Sequence, residues 1–168
     1  MPIKPNKFDL ILLTEVLEHL DKKTYSEAIA EVRRLNAKYI LITVPYKEDI
    51  DIGLCKCAKC GNLFNTNHHR LTFNENKIVE TFPDYVVESV KYESYRIRPN
   101  VFLFKLKQKL GLYSYSDASI CDKCGSRPVR PHMIWRYIFG IPNRIDMFFK
   151  RMVGLKKPYH LMMLMRKS

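Results

Sequence analysis

The chain has 168 residues, 46% of them hydrophobic, and 29 Lys and Arg against 17 Asp and Glu give it a formal charge of +12. That composition is globular and excludes a disordered tail, and the length suits one domain, since two independent domains would each be small enough to need a staple such as a metal. No apolar stretch approaches the roughly 18 residues of a bilayer span, and Met1-Pro2-Ile3-Lys4-Pro5-Asn6-Lys7 lacks the apolar segment and small-residue cleavage site of an export signal, so the expected location is cytoplasmic.

Phe8-Asp9-Leu10-Ile11-Leu12-Leu13 reads as a central parallel strand covered on both faces. Thr14-Glu15-Val16-Leu17-Glu18-His19-Leu20 then clusters ionisable groups where a strand gives way to a loop or helix, the place where open α/β sheets bind ligands. Thr24 and Glu27 have the spacing of a capping box, and Ala28, Ile29, Val32 and Leu35 follow on one face of an amphipathic helix. Tyr39-Ile40-Leu41-Ile42-Thr43-Val44-Pro45 is β-branched and apolar, so strand, helix and strand make a right-handed βαβ unit and the fold class is α/β. Residues 47–72 lack periodicity and read as an insertion in a single domain spanning 1–168. Asn74 is the predicted N-cap of a short helix, with Phe73 and Ile78 as its hydrophobic staple and Phe82-Pro83 as its end. A strand follows over 85–95. The second insertion, 96–157, holds an amphipathic segment at 101–110, a turn-rich stretch, and aromatic helical segments at 133–139 and 145–153 separated at Gly140 and Pro142. Residues 159–165 return to the sheet as its last strand.

Cys57-Ala58-Lys59-Cys60-Gly61 and Cys121-Asp122-Lys123-Cys124-Gly125 are two copies of C-x-x-C-G, a knuckle that turns two thiolates toward one ion. Together they supply a four-cysteine site, with zinc the expected structural metal and iron the alternative. Their separation of about sixty residues implies two insertions stapled together. Cys55 is left over, and the distance of His68 and His69 from Cys60 does not single them out as ligands. Disulfides are disfavoured by a cytoplasmic setting.

Charge is uneven. Residues 1–90 carry 12 basic and 13 acidic side chains, residues 91–168 carry 17 and 4, so an anionic partner, nucleic acid or a membrane surface, is expected for the later segment unless it is a solvated basic face.

The run from Phe8 through the E-V-L-E-H-L of residues 15–20, with the helix and strand that follow, resembles the second half of a class I S-adenosylmethionine-dependent methyltransferase. The C-x-x-C-G insertion followed by His69 and Phe73 is similar to that of some members. The resemblance implies a partial Rossmann-like sheet holding the fourth to seventh strands, the last of them antiparallel. It implies Thr14 and Glu15 beside the S-adenosylmethionine cofactor, and Glu15, His19 or His69 as a base for an unidentified methyl acceptor. Without the resemblance, Glu15 and Glu18 are a helix-start pair and His19 a surface histidine. None of the six glycines forms the family's G-x-G turn. The chain therefore reads as a fragment whose partner is the missing N-terminal half or a second copy of itself, inactive until completed. The competing expectation is a non-catalytic, zinc-stapled basic module that binds nucleic acid or an anionic membrane.

Overall fold

The computed structural model describes residues 3–168; Met1 and Pro2, with which the export reading begins, lie outside the described residues. The chain divides into two units, one containing the described residues through Glu48 with Arg70–Tyr95 and Pro158–Ser168, the other Asp49–His69 and Arg96–Lys157.

In the first unit β1 (Leu10–Thr14) pairs in parallel with β2 (Tyr39–Pro45) across α1 (Lys22–Leu35). After α2 (Glu75–Thr81) and β5 (Tyr85–Arg96), the last strand β6 (Lys157–Lys167) inserts antiparallel beside β2, giving the order β1-β2-β6-β5. The sheet is thus mixed. Its core lies on one face, where Ile40, Ile42 and Val44 of β2 and Leu161, Met163 and Met165 of β6 meet Ile29 and Val32 of α1 and Ile78 of α2. The period of two in the strands meets the period of 3.6 in the helices there.

Two expectations change in this unit. β1 is an edge strand, not a central one, and Leu10 and Leu12 point out at 44% and 58% exposure. An unbroken apolar run does not distinguish a strand buried on both faces from an edge strand with one face bare. Helix α1 also starts about one turn before the Thr24 capping box: the Asp21 carboxylate accepts from the amides of Lys23 and Thr24 at 2.9 Å each, and from the Thr24 hydroxyl at 3.0 Å. A charged acceptor at the positive end of a helix outcompetes a hydroxyl one turn later. Asn74 does cap α2, accepting from the Lys77 amide at 2.9 Å.

The second unit begins with a 3₁₀ turn (Ile50–Gly53) and the hairpin of β3 (Leu54–Lys56) and β4 (Leu63–Asn65). The segment around 114–130 runs along the hairpin, with Ser114 donating to Leu54 O at 2.8 Å and Val129 to Lys56 O at 2.7 Å. Helices α3 (Val101–Lys109) and α4 (Met133–Met152) complete it. The interruption expected at Gly140 and Pro142 is absent: α4 is one helix of 20 residues, because Pro142 withholds a single amide while the ladder continues on either side.

Phe82, at the end of α2, is 1% exposed. Phe82→Ala is expected to cost about 3–5 kcal/mol in urea unfolding, whereas Leu12→Ala on the bare face of β1 stays within about 0.5 kcal/mol of the parent.

Candidate functional site

Two clusters gather chemistry-bearing side chains. The first stands at the carboxyl ends of β1 and β2. Thr14 closes β1, and Glu15 follows with φ at 51°, a left-handed conformation uncommon for a residue with a side chain. Its amide donates to Thr43 O at 2.9 Å, which ties it to the end of β2. Its Oε2 lies 3.6 Å from Nε2 of His160. That histidine is there because β6 runs antiparallel and enters the sheet where β2 leaves it, pairing His160 with Pro45.

A 3₁₀ turn, Leu17–His19, comes next. Leu17 and Glu18 are buried, His19 is half exposed, and its Nε2 sits 3.7 Å from Glu18 Oε1. The Glu18 carbonyl accepts the amides of Arg70 and Leu71 at 2.6 and 3.1 Å, so the chain returns to this corner on leaving the second unit. Just past β2, the Tyr46 amide donates to Tyr159 O at 2.8 Å and its hydroxyl to Glu75 Oε1 at 2.9 Å. The Tyr92 hydroxyl donates to the same oxygen, and the two phenol rings meet edge to face at 5.1 Å. Burial works to raise the Glu75 carboxyl, but the Tyr92 and Tyr46 hydroxyls and the charge of Lys47 outweigh it and hold the group below its ordinary value. The bond to Glu75 in turn pushes the Tyr92 phenol up.

The structure therefore places Thr14, Glu15 and His19 in one corner and adds Tyr46, Glu75, Tyr92 and His160, which sequence reasoning missed. Position at a strand end could have pointed to Tyr46 and His160, whereas Glu75 at the start of α2 and Tyr92 within β5 carry no such signal. His69 is buried in the second unit, as its last residue before Arg70.

The second cluster is the four cysteines. Sγ of Cys57 lies 3.4 Å from Sγ of Cys124, Sγ of Cys60 lies 3.7 Å from Sγ of Cys121, and all four fall within 4.8 Å of one another. Gly61 and Gly125 take φ of 71° and 70°, and their amides donate to the carbonyls of Cys57 and Cys121, the first cysteine of each knuckle, at 3.1 and 2.9 Å. This tight turn favours glycine. The bridge between Cys57 and Pro128, with the Ala58 amide donating to Arg127 O at 3.1 Å, fastens one knuckle to the other. A disulfide would require about 2.05 Å between sulfurs, whereas thiolates about 2.3 Å from a shared tetrahedral ion stand about 3.8 Å apart. The donor set can therefore hold a metal.

The Ser126 amide and hydroxyl, aided by Cys57, bring the Cys124 thiol down to about 6. Although the Asn62 amide favours its thiolate, desolvation and the three neighbouring sulfurs push Cys60 up to about 12. Four thiolates repel one another, and a cation removes that conflict. Cys55 packs in the adjoining core outside the cluster, and desolvation pushes its thiol up. His68 stacks on Phe64 with ring centroids 5.9 Å apart.

Fold and sites together define a mixed α/β protein with a polar corner at its strand ends and a separate four-cysteine cluster. No family model and no curated protein matches the chain. A solved SAM-dependent methyltransferase from Archaeoglobus fulgidus is similar to it at 14% identity and a TM-score of 0.43, over 97% of this chain. The chain spans 61% of that protein's length.

Elemental analysis is expected to find a bound metal ion that Cys60→Ser or Cys124→Ser removes and Cys55→Ser retains. Folded Glu75 is more acidic than an unfolded glutamate, ordinarily at 4.5. It therefore contributes stability above that pH which is lost as the pH falls through its lowered folded value. Glu75→Gln removes this part of the acid dependence, read as unfolding midpoints across the acid range.

Proposed function

We propose that the chain forms the acceptor-side part of an S-adenosylmethionine-dependent methyltransferase, with zinc as the structural ion of the four-cysteine cluster. The observation that carries the reading is the corner where the parallel strands β1 and β2 end, with Glu15 in its left-handed conformation facing His160. Open sheets bind ligands at such ends, and a residue held in a sparsely populated conformation at one of them marks a constrained position. The E-V-L-E-H-L run that carries the family resemblance supplies this corner.

S-adenosylmethionine supplies an electrophilic methyl group on a cationic sulfonium. Carboxylates such as Glu15 and the ring faces of Tyr46 and Tyr92 suit a cation, and Thr14 and Glu15 are the residues this reading assigns to it. Methyl transfer also requires an acceptor held about 3 Å from that methyl and, for a weak nucleophile, a base. Glu15 and His19 are the candidate bases of this corner, and His160 beside Glu15 joins them. The chain holds no G-x-G turn, so the reading gives the adenosyl end of the cofactor to a second polypeptide or a second copy of this chain, and turnover depends on that completion. Zinc is favoured because four thiolates form the closed tetrahedral set of its structural sites.

Calorimetric titration of S-adenosylmethionine, which keeps the sulfonium charge, into the folded, zinc-replete chain tests the reading. Heat of binding is expected, weakened about tenfold by Glu15→Ala, as for the loss of one charge-assisted contact, and unchanged by Cys55→Ser. Absence of binding by the chain alone and at concentrations that permit self-association would give completion to a second polypeptide, and continued absence in the completed assembly would remove the site from these residues.

A further inference from the structure

Helix α4 carries apolar side chains on two sides, one half-buried and one exposed. Along the half-buried side stand Trp135, Phe139, Asn143, Asp146 and Lys150; Asp146 pairs with Lys150 at 2.5 Å, and Lys150 also donates to Arg98 O at 3.3 Å. The opposite side carries Ile134, Ile138, Ile141, Ile145, Phe148 and Met152, each between 49% and 71% exposed. The half-buried side thus mixes apolar groups, Trp135, Phe139 and Met147, with Asn143 and the Asp146–Lys150 pair, while a second, full-length apolar stripe on the opposite side faces outward. A contiguous apolar face of this length exceeds the scattered exposed residues of an ordinary soluble surface and marks an interaction site.

Charge identifies what the face meets. Residues 133–157 carry six basic side chains, Arg136, Arg144, Lys150, Arg151, Lys156 and Lys157, against Asp146 alone. Arg144 and Arg151 are exposed, stand seven residues apart and form a row along one flank of the apolar stripe, whereas Arg136 lies about 160° round the helix from the stripe's centre. On the row's side of α4, Met133, Arg136, Tyr137, Gly140, Ile141 and Arg144 line a groove of about 310 Å³. An occupant must therefore present anionic groups beside a continuous apolar phase. The surface of an anionic phospholipid bilayer does so, with phosphates at the height of the arginine row and acyl chains about 5–10 Å below. Nucleic acid offers the phosphates but leaves Ile141, Ile145 and Met152 in water, since aliphatic side chains provide no stacking platform for bases. Among the described residues no helix is long and apolar enough to cross a membrane, so the geometry is one of lying on the surface.

We infer that α4 is an interfacial anchor: it lies in the plane of an anionic membrane, its isoleucine and phenylalanine stripe in the acyl boundary and its arginine row on the lipid phosphates. This inference stands apart from the methyltransferase reading and uses none of its residues.

The test is co-sedimentation of the full metal-replete chain with phosphatidylcholine vesicles containing about 30 mol% phosphatidylserine, against pure phosphatidylcholine. Two double variants accompany it, Ile141→Asp with Ile145→Asp on the stripe, and Arg144→Glu with Arg151→Glu on the row. All four positions are exposed, and far-UV circular dichroism with metal content verifies folding. The parent is expected to partition onto anionic vesicles at least tenfold more strongly than onto neutral ones, to weaken as salt rises, and to lose at least tenfold in either variant. Three results would overturn the inference. The folded parent fails to bind anionic vesicles; both variants bind as the parent does; or the stripe instead mediates a dimer or oligonucleotide binding in a chain that ignores vesicles.

Discussion

The second unit converges on four sulfur atoms. Its buried apolar cluster consists of Cys55, Cys57, Phe64 and Cys121, too little burial to offset the conformational entropy of ordering two stretches of chain about sixty residues apart. Hydrogen bonds of the hairpin with the 114–130 segment define a shape but contribute only modest net stability, because the unfolded chain bonds equally well to water. What remains is the convergence of the two knuckles. An ion held there closes a long loop, and such closure removes the most entropy from the unfolded state where the intervening chain is long. The same requirement explains the glycine after each knuckle, since the turn that presents the sulfurs leaves the next residue in left-handed backbone.

In the first unit the decisive feature is the direction of β6. A parallel strand at that position would carry its first residues to the opposite end of the sheet. Entering antiparallel between β2 and β5, it delivers Tyr159 and His160 to the end where β1 and β2 finish. The polar corner is therefore assembled from both ends of the chain. Glu15 comes from the first strand, Tyr46 from the second, Glu75 from the start of α2 and Tyr92 from β5. Each is held by a neighbour: Glu15 by Thr43 and His160, Glu75 by two phenols. Such mutual fixing gives a site its geometry before any ligand arrives.

Local signals in the sequence were legible where they were self-contained. The apolar runs of β1 and β2, the periodicity of α1, the Asn74 cap and the repeated C-x-x-C-G spacing each specify a feature within a few residues, and the four cysteines do come together. Features set by tertiary competition were not. Asp21 captures the amides that begin α1, although Thr24 with Glu27 has the better sequence signature. The edge position of β1 depends on what pairs with it, which a strand's own residues do not encode. The tyrosine–glutamate cluster has no motif, because Tyr46, Glu75 and Tyr92 meet only through the strand order. Continuity of α4 through Pro142 was equally hidden, since a proline ends a helix only when the freed carbonyl and the ring find no accommodation.

Hydrophobic periodicity also leaves the medium unspecified. Ile40, Ile42 and Val44 alternate along β2 and are fully buried; Ile134, Ile138, Ile141 and Ile145 recur at helical spacing along α4 and are half exposed. Either pattern satisfies the same rule, that apolar groups gather on one face. What separates them is the opposite face. Where it is charged and turned to water, as with Glu31 and Arg34 on α1, the apolar side closes a core. On α4 the opposite face is itself half-buried, with Trp135, Phe139 and Met147 beside the Asp146–Lys150 pair, so the isoleucine stripe is a second apolar side with no interior left to enter.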